Sequence, residues 1–462
     1  MSTSGLPANW RVAPLKEVAS VNPPRAPLED NGEPFAFVPM RAVQEEMGGI
    51  DVSEARPLEA VRSGYTQFKI GDVLFAKITP CMENGKIAIV PALSSPVGFG
   101  STEFHVLRPQ DGIVPRWVAY FLRKGEFRRA AQRNMSGSAG QLRVPKRWLE
   151  AQEIPVPPIA VQQNLVDKID ELFSDLDAGV AALERARANL ARYRAAVLKA
   201  AVEGKLTEQW RGEHPDVEPA SELLRRILHA REEQAVGTRG RARSRAPAAP
   251  IPSRDRQLPP SWTWATVDQV SGEVRYGSSS KASPDHIGVP VLRMGNIVDG
   301  ALDLSSLKFL RQDHKEFPEL LLRDGDVLFN RTNSAELVGK SAVYRGVPQP
   351  CSFASYLIRL RLVRGVIPEY LCHVINSHFG RRWIRSVVSQ QVGQANVNGT
   401  KLKSFTFPLP PLREQEVIVE HADSILTTVV RAVGECDAIL ARAGILRSGV
   451  LAKAFSGELL QL

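Results

Sequence analysis

Cysteine is scarce in this chain of 462 residues: Cys81, Cys351, Cys372 and Cys436 are scattered without any C-x-x-C spacing. A disulfide framework and a cysteine-built zinc site are thereby excluded, and the expectation is reduced thiols in a cytoplasmic protein. No apolar run approaches the length of a bilayer span. The opening Met1-Ser2-Thr3-Ser4-Gly5-Leu6-Pro7 has neither a basic start nor an apolar stretch, so no secretory signal is expected. Basic charge away from one segment is also limited. Of the net +9, the stretch Gly237 to Gln257 supplies +5, from six arginines (239, 241, 243, 245, 254, 256) against Asp255. Basicity therefore permits a nucleic-acid partner without establishing one.

Catalytic signatures are missing as well. Gly339-Lys340-Ser341 looks like the end of a phosphate-binding loop, but position 334 is Ser334 where that loop needs glycine, and Gly85-Lys86-Ile87 lacks the hydroxyl. Both read as turns into strands. Asn22-Pro23-Pro24-Arg25 is similar to the Asn-Pro-Pro-aromatic motif with which amino-methyltransferases hold a flipped adenine. Arg25 stands where the stacking ring should be, and no glycine-rich cofactor loop precedes it, so it reads as an extended proline segment. The eight histidines form no HExxH pattern; His373 and His378 are five apart, off one helical face, and read as structural. Without a nucleophile elbow or a nuclease-type carboxylate cluster, the chain is expected to be no enzyme, and no metal site is expected.

What the chain does contain is itself, twice. Leu6-Pro7-Ala8-Asn9-Trp10 returns as Leu258-Pro259-Pro260-Ser261-Trp262, Gly71-Asp72-Val73-Leu74-Phe75 as Gly325-Asp326-Val327-Leu328-Phe329, and Gly85-Lys86 as Gly339-Lys340. Gly140-Gln141 returns as Gly393-Gln394, Pro155-Val156-Pro157-Pro158 as Pro408-Leu409-Pro410-Pro411, and Val197-Leu198 as Val450-Leu451. An offset near 253 residues far exceeds a solenoid period and denotes a duplicated domain with its connector. The repeated residues are glycines, prolines and apolar runs, which hold a frame; the segments between them differ.

Each repeat has two parts. Residues 1–158 and 258–411 mix short strand-like runs (Val73–Ala76, Ile87–Val90) with many Gly and Pro breaks and a few helical stretches (Pro115–Leu122, Pro368–Ile375), giving two strand-rich α+β domains. Each Pro-Pro pair then opens one long helix, in residues 159–210 and 412–462. Heptads place Ile169, Leu176, Leu183, Leu190 and Val197 on one seam line, with Leu172, Gly179, Ala186, Tyr193 and Ala200 on the other. The second seam reads Ala422, Ile425, Val429, Ala432, Cys436, Ile439, Ala443, Leu446 and Val450, with no charged residue. At 1.5 Å per residue such a helix is roughly 65 Å long. Gly204 and Gly457 mark the stops. The expectation is an antiparallel coiled coil joining the two domains pseudo-twofold; a helix packed on its own domain is the plainer alternative. Residues 211–257 have no counterpart. They read as a short helix, Ala220–Leu228 with Ser221 as a possible cap, followed by a flexible, Arg- and Pro-rich linker from Gly237 to Arg256 that either touches DNA phosphate or stays solvated.

Two globular domains, each followed by Pro-x-Pro-Pro-Leu-x-Glu-Gln and a long helix, resemble the specificity subunits of type I restriction-modification systems. The motif stands as Pro408-Leu409-Pro410-Pro411-Leu412-Arg413-Glu414-Gln415; the first copy departs from it, with Val161 before Gln162. The helix ends Val202-Glu203-Gly204-Lys205-Leu206-Thr207 and Phe455-Ser456-Gly457-Glu458-Leu459, the Leu-Pro-x-x-Trp openings and the Gly-Asp-Val-Leu-Phe runs are similar to that family too. The resemblance implies two target-recognition domains that each read half of a split, asymmetric double-stranded DNA sequence, with the paired helices as a ruler. It also implies docking of two methyltransferase (modification) subunits, and of restriction subunits with ATP-driven translocation. S-adenosylmethionine, ATP and Mg would belong to those partners, with no cofactor in this chain. A modification-only or fused nuclease-methylase system would use much the same chain. A chain with its own methyltransferase or nuclease, and a coiled-coil scaffold or RNA-binding protein, are the rivals.

Base reading needs side chains that reach groove edges, while phosphate contacts set register. The candidates in the first domain are Lys77, Thr79, Glu83, Asn84 and Lys86, in a polar loop between strands, and Ser138, Gln141 and Arg143. Their equivalents are Arg331, Thr332, Asn333, Ser334 and Lys340, and Gln394 and Asn396. Arg, Gln and Asn pair with guanine or adenine edges; Lys77, Lys86 and Lys340 suit phosphate. Gln141 and Gln394, present in both copies, have bracing the scaffold as their alternative role.

Overall fold

The computed structural model describes residues 6–28, 32–45, 48–138, 140–237, 246–252, 257–285, 287–391 and 394–461. The chain divides into two compact units, Met1–Arg185 with Cys436–Leu462, and Ala186–Glu435. In the first unit, a four-stranded antiparallel sheet has the order Ala19–Val21, Phe104–Pro109, Val73–Ala76, Ile87–Ile89. The second unit repeats it as Ser271–Tyr276, Leu357–Leu362, Val327–Asn330, Ser341–Val343. Each unit adds a second sheet, of four strands in the first and three in the second, in which Phe35–Val38 pairs in parallel with Val97–Gly100, and Val289–Leu292 with Ser352–Phe353. A two-stranded ribbon closes each domain: Arg11–Pro14 against Glu153–Val156, and Thr263–Thr266 against Thr406–Leu409.

The Gly-Asp-Val-Leu-Phe runs form the middle strands because their aspartates anchor the preceding turn. Asp72 accepts the Lys69 amide at 2.7 Å and a two-pronged Arg108 guanidinium at 2.8 and 2.7 Å. Asp326 does the same with Arg323 and Arg361. Both carboxylates are buried, and a forked arginine is the geometry that best offsets their desolvation. Gln162 and Gln415, also fully buried, brace the start of each long helix. Gln162 accepts from the Val114 amide at 2.9 Å and donates to the Gly112 and Pro157 carbonyls; Gln415 accepts from Ile367 and donates to Gly365 and Pro410.

The long helices run Ile159–Val202 and Leu412–Ser456. Each begins in one unit and ends in the other. In the first unit, the end of the second helix enters the core of the first domain, where Phe455 stacks on Trp117 with ring centroids 4.0 Å apart. In the second unit, Ala201 and Val202 from the end of the first helix share a core with Trp262, Tyr370 and Ile418. The two stops serve the same joint. Gly204 and Gly457 are left-handed (φ +71° and +82°), a conformation glycine adopts without steric penalty. A Cβ on Gly204 would meet Pro259 and Trp262 at 3.0 and 3.1 Å; on Gly457 it would meet Pro7 at 2.7 Å. The Leu-Pro-x-x-Trp opening of each domain is thus the seat for a helix end.

One seam line is as expected, and the other is displaced by a residue at some of its positions. Ile169, Leu176, Leu183, Leu190 and Val197 are buried or half-buried, as are Leu172, Ile425, Val429 and Val450. Tyr193, Ile439 and Leu446 are exposed, and their neighbours Arg194, Leu440 and Arg447 are half-buried instead, as are Phe173, Val180 and Val433. A charged residue does occupy the seam: the Arg447 guanidinium lies over the Phe173 ring and pairs with Asp177. Arginine buries its stem while its head finds a carboxylate, so an apolarity pattern picks the wrong neighbour. Within the first unit these contacts make the two helix segments antiparallel, since 447 meets 173–177 whereas 455 meets Trp117 at the start of the domain core.

The unmatched insert is more ordered than expected. Its helix spans Ala220–Gly237, and Leu223, Leu224 and Ile227 enter the core of the second unit. The proline-rich part is no flexible tether between 246 and 252: the Ala248 amide donates to Asp268, its carbonyl accepts from Thr266, and the Ile251 amide donates to Thr406. Arg239, Arg241, Arg243, Arg245, Arg254 and Arg256 lie outside the described residues. All four cysteines are free, and burial pushes the Cys351 and Cys372 thiols up to about 12. Among the described residues no helix is long and apolar enough to cross a membrane.

Candidate nucleic-acid interface

In the first unit, the two loops named as candidates come together at one end of the four-stranded sheet, beyond Ala76 and before Phe104 on its two central strands. Ile78 and Ser136 both bridge to Arg143, and the Thr79 amide donates to the Leu142 carbonyl at 3.0 Å. Lys77 donates its amide to Glu103 and accepts from Val144. Burial pulls its ammonium below the ordinary lysine range, partly offset by Glu103. Arg143 is clamped by Glu103 through two bonds of 2.8 Å, which in turn hold the Glu103 carboxyl below its usual value. Asn84 donates to Glu45 at 2.8 Å and Lys86 to the Met40 carbonyl at 3.3 Å, while Glu83 is half-buried. Ser138 and Gln141 are exposed. An exposed Gln141 side chain argues against a bracing role there, which belongs to the buried Gln162.

The second unit builds the same end of its sheet differently. Thr332–Asn333 pairs with Gln394–Asn396, which pairs in turn with Ser389–Gln391, so both candidate segments lie in one small antiparallel sheet. The side chain of Gln394 lies outside the described residues, as do Val392 and Gly393. Arg331 lies 4.8 Å over the ring of half-exposed Tyr276, a cation–π contact. Its side-chain hydrogen bonds to described residues are long: Nη1 to the Ser355 carbonyl and Nη2 to Asn396 Oδ1, both 3.4 Å. Bonds of that length hold weakly. Arg143 is therefore consumed by a carboxylate, whereas Arg331 is propped on a ring with donors to spare. Ser334 is exposed. Lys340 follows the Gly339 turn into Ser341–Val343, as a turn-to-strand reading requires.

Sequence reasoning missed a concave surface beside Arg331. A cavity of about 590 Å³ is lined by the Ser278–Ala282 loop, Met294, Asn330, Asn333, Lys340 and Tyr356, among others. Lys281, Arg293, Lys308 and Lys340 all border it, and its described lining contains no carboxylate. The signal was present in the run Ser278-Ser279-Ser280-Lys281, a short polar loop beside an exposed tyrosine, but those residues are spread from 278 to 356 and no periodicity links them. Elsewhere, His373 is buried, with Nε2 2.9 Å from the Asp423 carboxylate, which fits the structural role read from spacing.

Comparison with known proteins adds identity to this geometry. The family model described as type I restriction modification DNA specificity domain matches residues 7–185 and 275–431. The chain is 26% identical over 471 residues to the type I restriction enzyme EcoAI specificity subunit of Escherichia coli, covering 92% of this chain and 78% of that one. It is 29% identical over 356 residues to the EcoKI specificity subunit of Escherichia coli (strain K12), covering 77% and 68%. In fold it is similar to a chain solved in work on complex assembly and conformational transition of the type I R-M system (TM-score 0.63, 22% identity, 98% and 99% covered). It is also similar to the HsdS subunit from Thermoanaerobacter tengcongensis (TM-score 0.58, 20% identity, 99% of each chain).

Proposed function

Because this chain belongs to the type I restriction-modification DNA specificity family, whose members are non-catalytic DNA-recognising subunits, we propose that it reads a two-part, asymmetric duplex sequence, one half per strand-rich domain. The observation that carries this reading is one frame built twice with two different faces. The Asp72–Arg108 and Asp326–Arg361 anchors and the Gln162 and Gln415 braces are superimposable in role. On those frames, Arg143 is tied to Glu103, whereas Arg331 stands on Tyr276 beside a small sheet and a cationic cavity. Different faces on one scaffold recognise different base patterns.

In this reading the long helices fix the spacing between half-sites and dock two methyltransferase subunits, with restriction subunits joining in a full complex. S-adenosylmethionine, ATP and magnesium serve those partners. The test is methylome sequencing of cells expressing the chain with its methyltransferase. The expected motif is split and asymmetric, and inserting equal short segments into both long helices changes its gap without changing its half-sites. A continuous motif, or a gap indifferent to helix length, overturns the proposal. Methyl transfer by the purified chain alone would restore the rival of a self-contained enzyme.

A further inference from the structure

The cavity beside Arg331 is lined by a buried side chain that nothing among the described residues satisfies. Asn330 ends the central strand Val327–Asn330 and is fully buried, yet among the described residues neither its amide nitrogen nor its carbonyl oxygen has a partner. A buried primary amide left unpaired is costly, and native structures keep such groups where something absent satisfies them. Here the group borders a cavity, and its surroundings describe what enters. Met294, Ile297, Val298, Leu337 and Tyr356 provide apolar and aromatic wall. Lys281, Arg293, Lys308 and Lys340 supply positive charge. The equivalent position in the first domain is Ala76, so this feature belongs to one copy only.

We infer that this cavity is a nucleotide pocket, in which the Asn330 carboxamide pairs with the edge of a base and the lysines hold its phosphate. An amide offers a donor and an acceptor side by side, the pattern that a base edge complements. Apolar walls receive the base faces, and about 590 Å³ accommodates a base with its sugar and phosphate. Because Asn330 is fully buried, its side chain must turn toward the occupant to pair with it, and a base still stacked in a duplex does not enter far enough to meet it. The occupant is either a nucleotide turned out of the DNA or a free nucleotide. The first source rests on the function proposed above; the second does not.

The experiment uses the full chain and Asn330→Ala, which installs the residue of the first domain and leaves no polar atom to strand. In one arm, duplexes carrying the methylome-defined motif have 2-aminopurine substituted at one position after another. In the other, the four nucleoside monophosphates are titrated by calorimetry. For a DNA source, one position gives a several-fold fluorescence rise that Asn330→Ala abolishes, and the variant binds cognate duplex about tenfold more weakly. For a free nucleotide, a monophosphate binds saturably to the wild-type chain and not to the variant, while duplex affinity is unchanged. If the wild-type chain and variant behave alike in both arms, the pocket is overturned although duplex binding, and so the proposed function, stands. If the wild-type chain binds no duplex either alone or with its methyltransferase subunits, the proposed function fails and the monophosphate arm decides the pocket alone.

Discussion

Trp262 Nε1 donates to the Glu414 carboxylate at 2.8 Å, across 152 residues of chain. The same fully buried carboxylate accepts from Thr207 at 2.7 Å and from Arg211. Four segments therefore converge on one group: the opening of the second domain, the stretch after the first long helix, the helix Glu208–Glu213 and the start of the second long helix. Glu414→Ala leaves three donors unsatisfied, and the expected loss is about 3–5 kcal/mol. Urea unfolding of the full chain, followed by tryptophan fluorescence, measures it. An unchanged midpoint would mean that water replaces the carboxylate at no cost.

The Trp117–Phe455 stack makes the end of the second helix part of the first domain's core. Phe455→Ala empties a packed aromatic site and is expected to cost about 3–5 kcal/mol. A double-mutant cycle with Trp117→Leu should show positive coupling of about 0.5–1.5 kcal/mol, as for other aromatic pairs. Additive losses would make the stack incidental.

His105 gives the first domain an acid-sensitive point. Its ring is buried, with Nδ1 3.0 Å from Asn22 Nδ2 and Nε2 2.8 Å from the Val144 carbonyl. Asn22 Oδ1 already accepts the Val106 amide, so Nδ2 donates to the ring and Nδ1 must stay unprotonated. Burial lowers the His105 pKa to about 4. In the native state it binds fewer protons than in the unfolded chain between about pH 6.5 and 4, so stability is whole above that window and falls as pH drops through it, by about 3 kcal/mol. His105→Gln should flatten this slope. An unchanged slope in denaturation at pH 7, 6, 5 and 4 would assign it to other groups.

Arg331→Ala is expected to relax sequence preference at one half-site, by about 1–3 kcal/mol at the base it contacts. Arg143→Ala should have a smaller effect at the other half-site, because Glu103 already occupies its fork. Methylome motifs of the two variants check both. An identical motif with Arg331→Ala removes that residue from base recognition.

Much of the fold was legible because duplication is an internal control. Gly71-Asp72 and Gly325-Asp326 match at the repeat offset, and the structure shows them anchoring the same turn through Arg108 and Arg361. Proline pairs and glycines likewise marked where the long helices start and stop. The seam went wrong where chemistry departs from apolarity: Leu446 is more hydrophobic than Arg447, but Asp177 and Phe173 make the arginine the better inward residue. The candidate loops were legible as polar turns between strands. Their partners were not, since Glu103, Tyr276 and Asn330 reach the site through tertiary pairing that leaves no trace in spacing.

The two glycine stops have a topological consequence. Pro7 packs against Gly457, and Pro259 against Gly204, so each domain opening is met by a helix end in the same way. The covalent order of the segments is thus only one of two equivalent ways to write the molecule. Joining the region after Gly457 to the region before Pro7, and opening the chain in the insert before Pro259, would preserve every joint described above. Such a circular permutant should fold to the same pair of units, with its ends in the former insert.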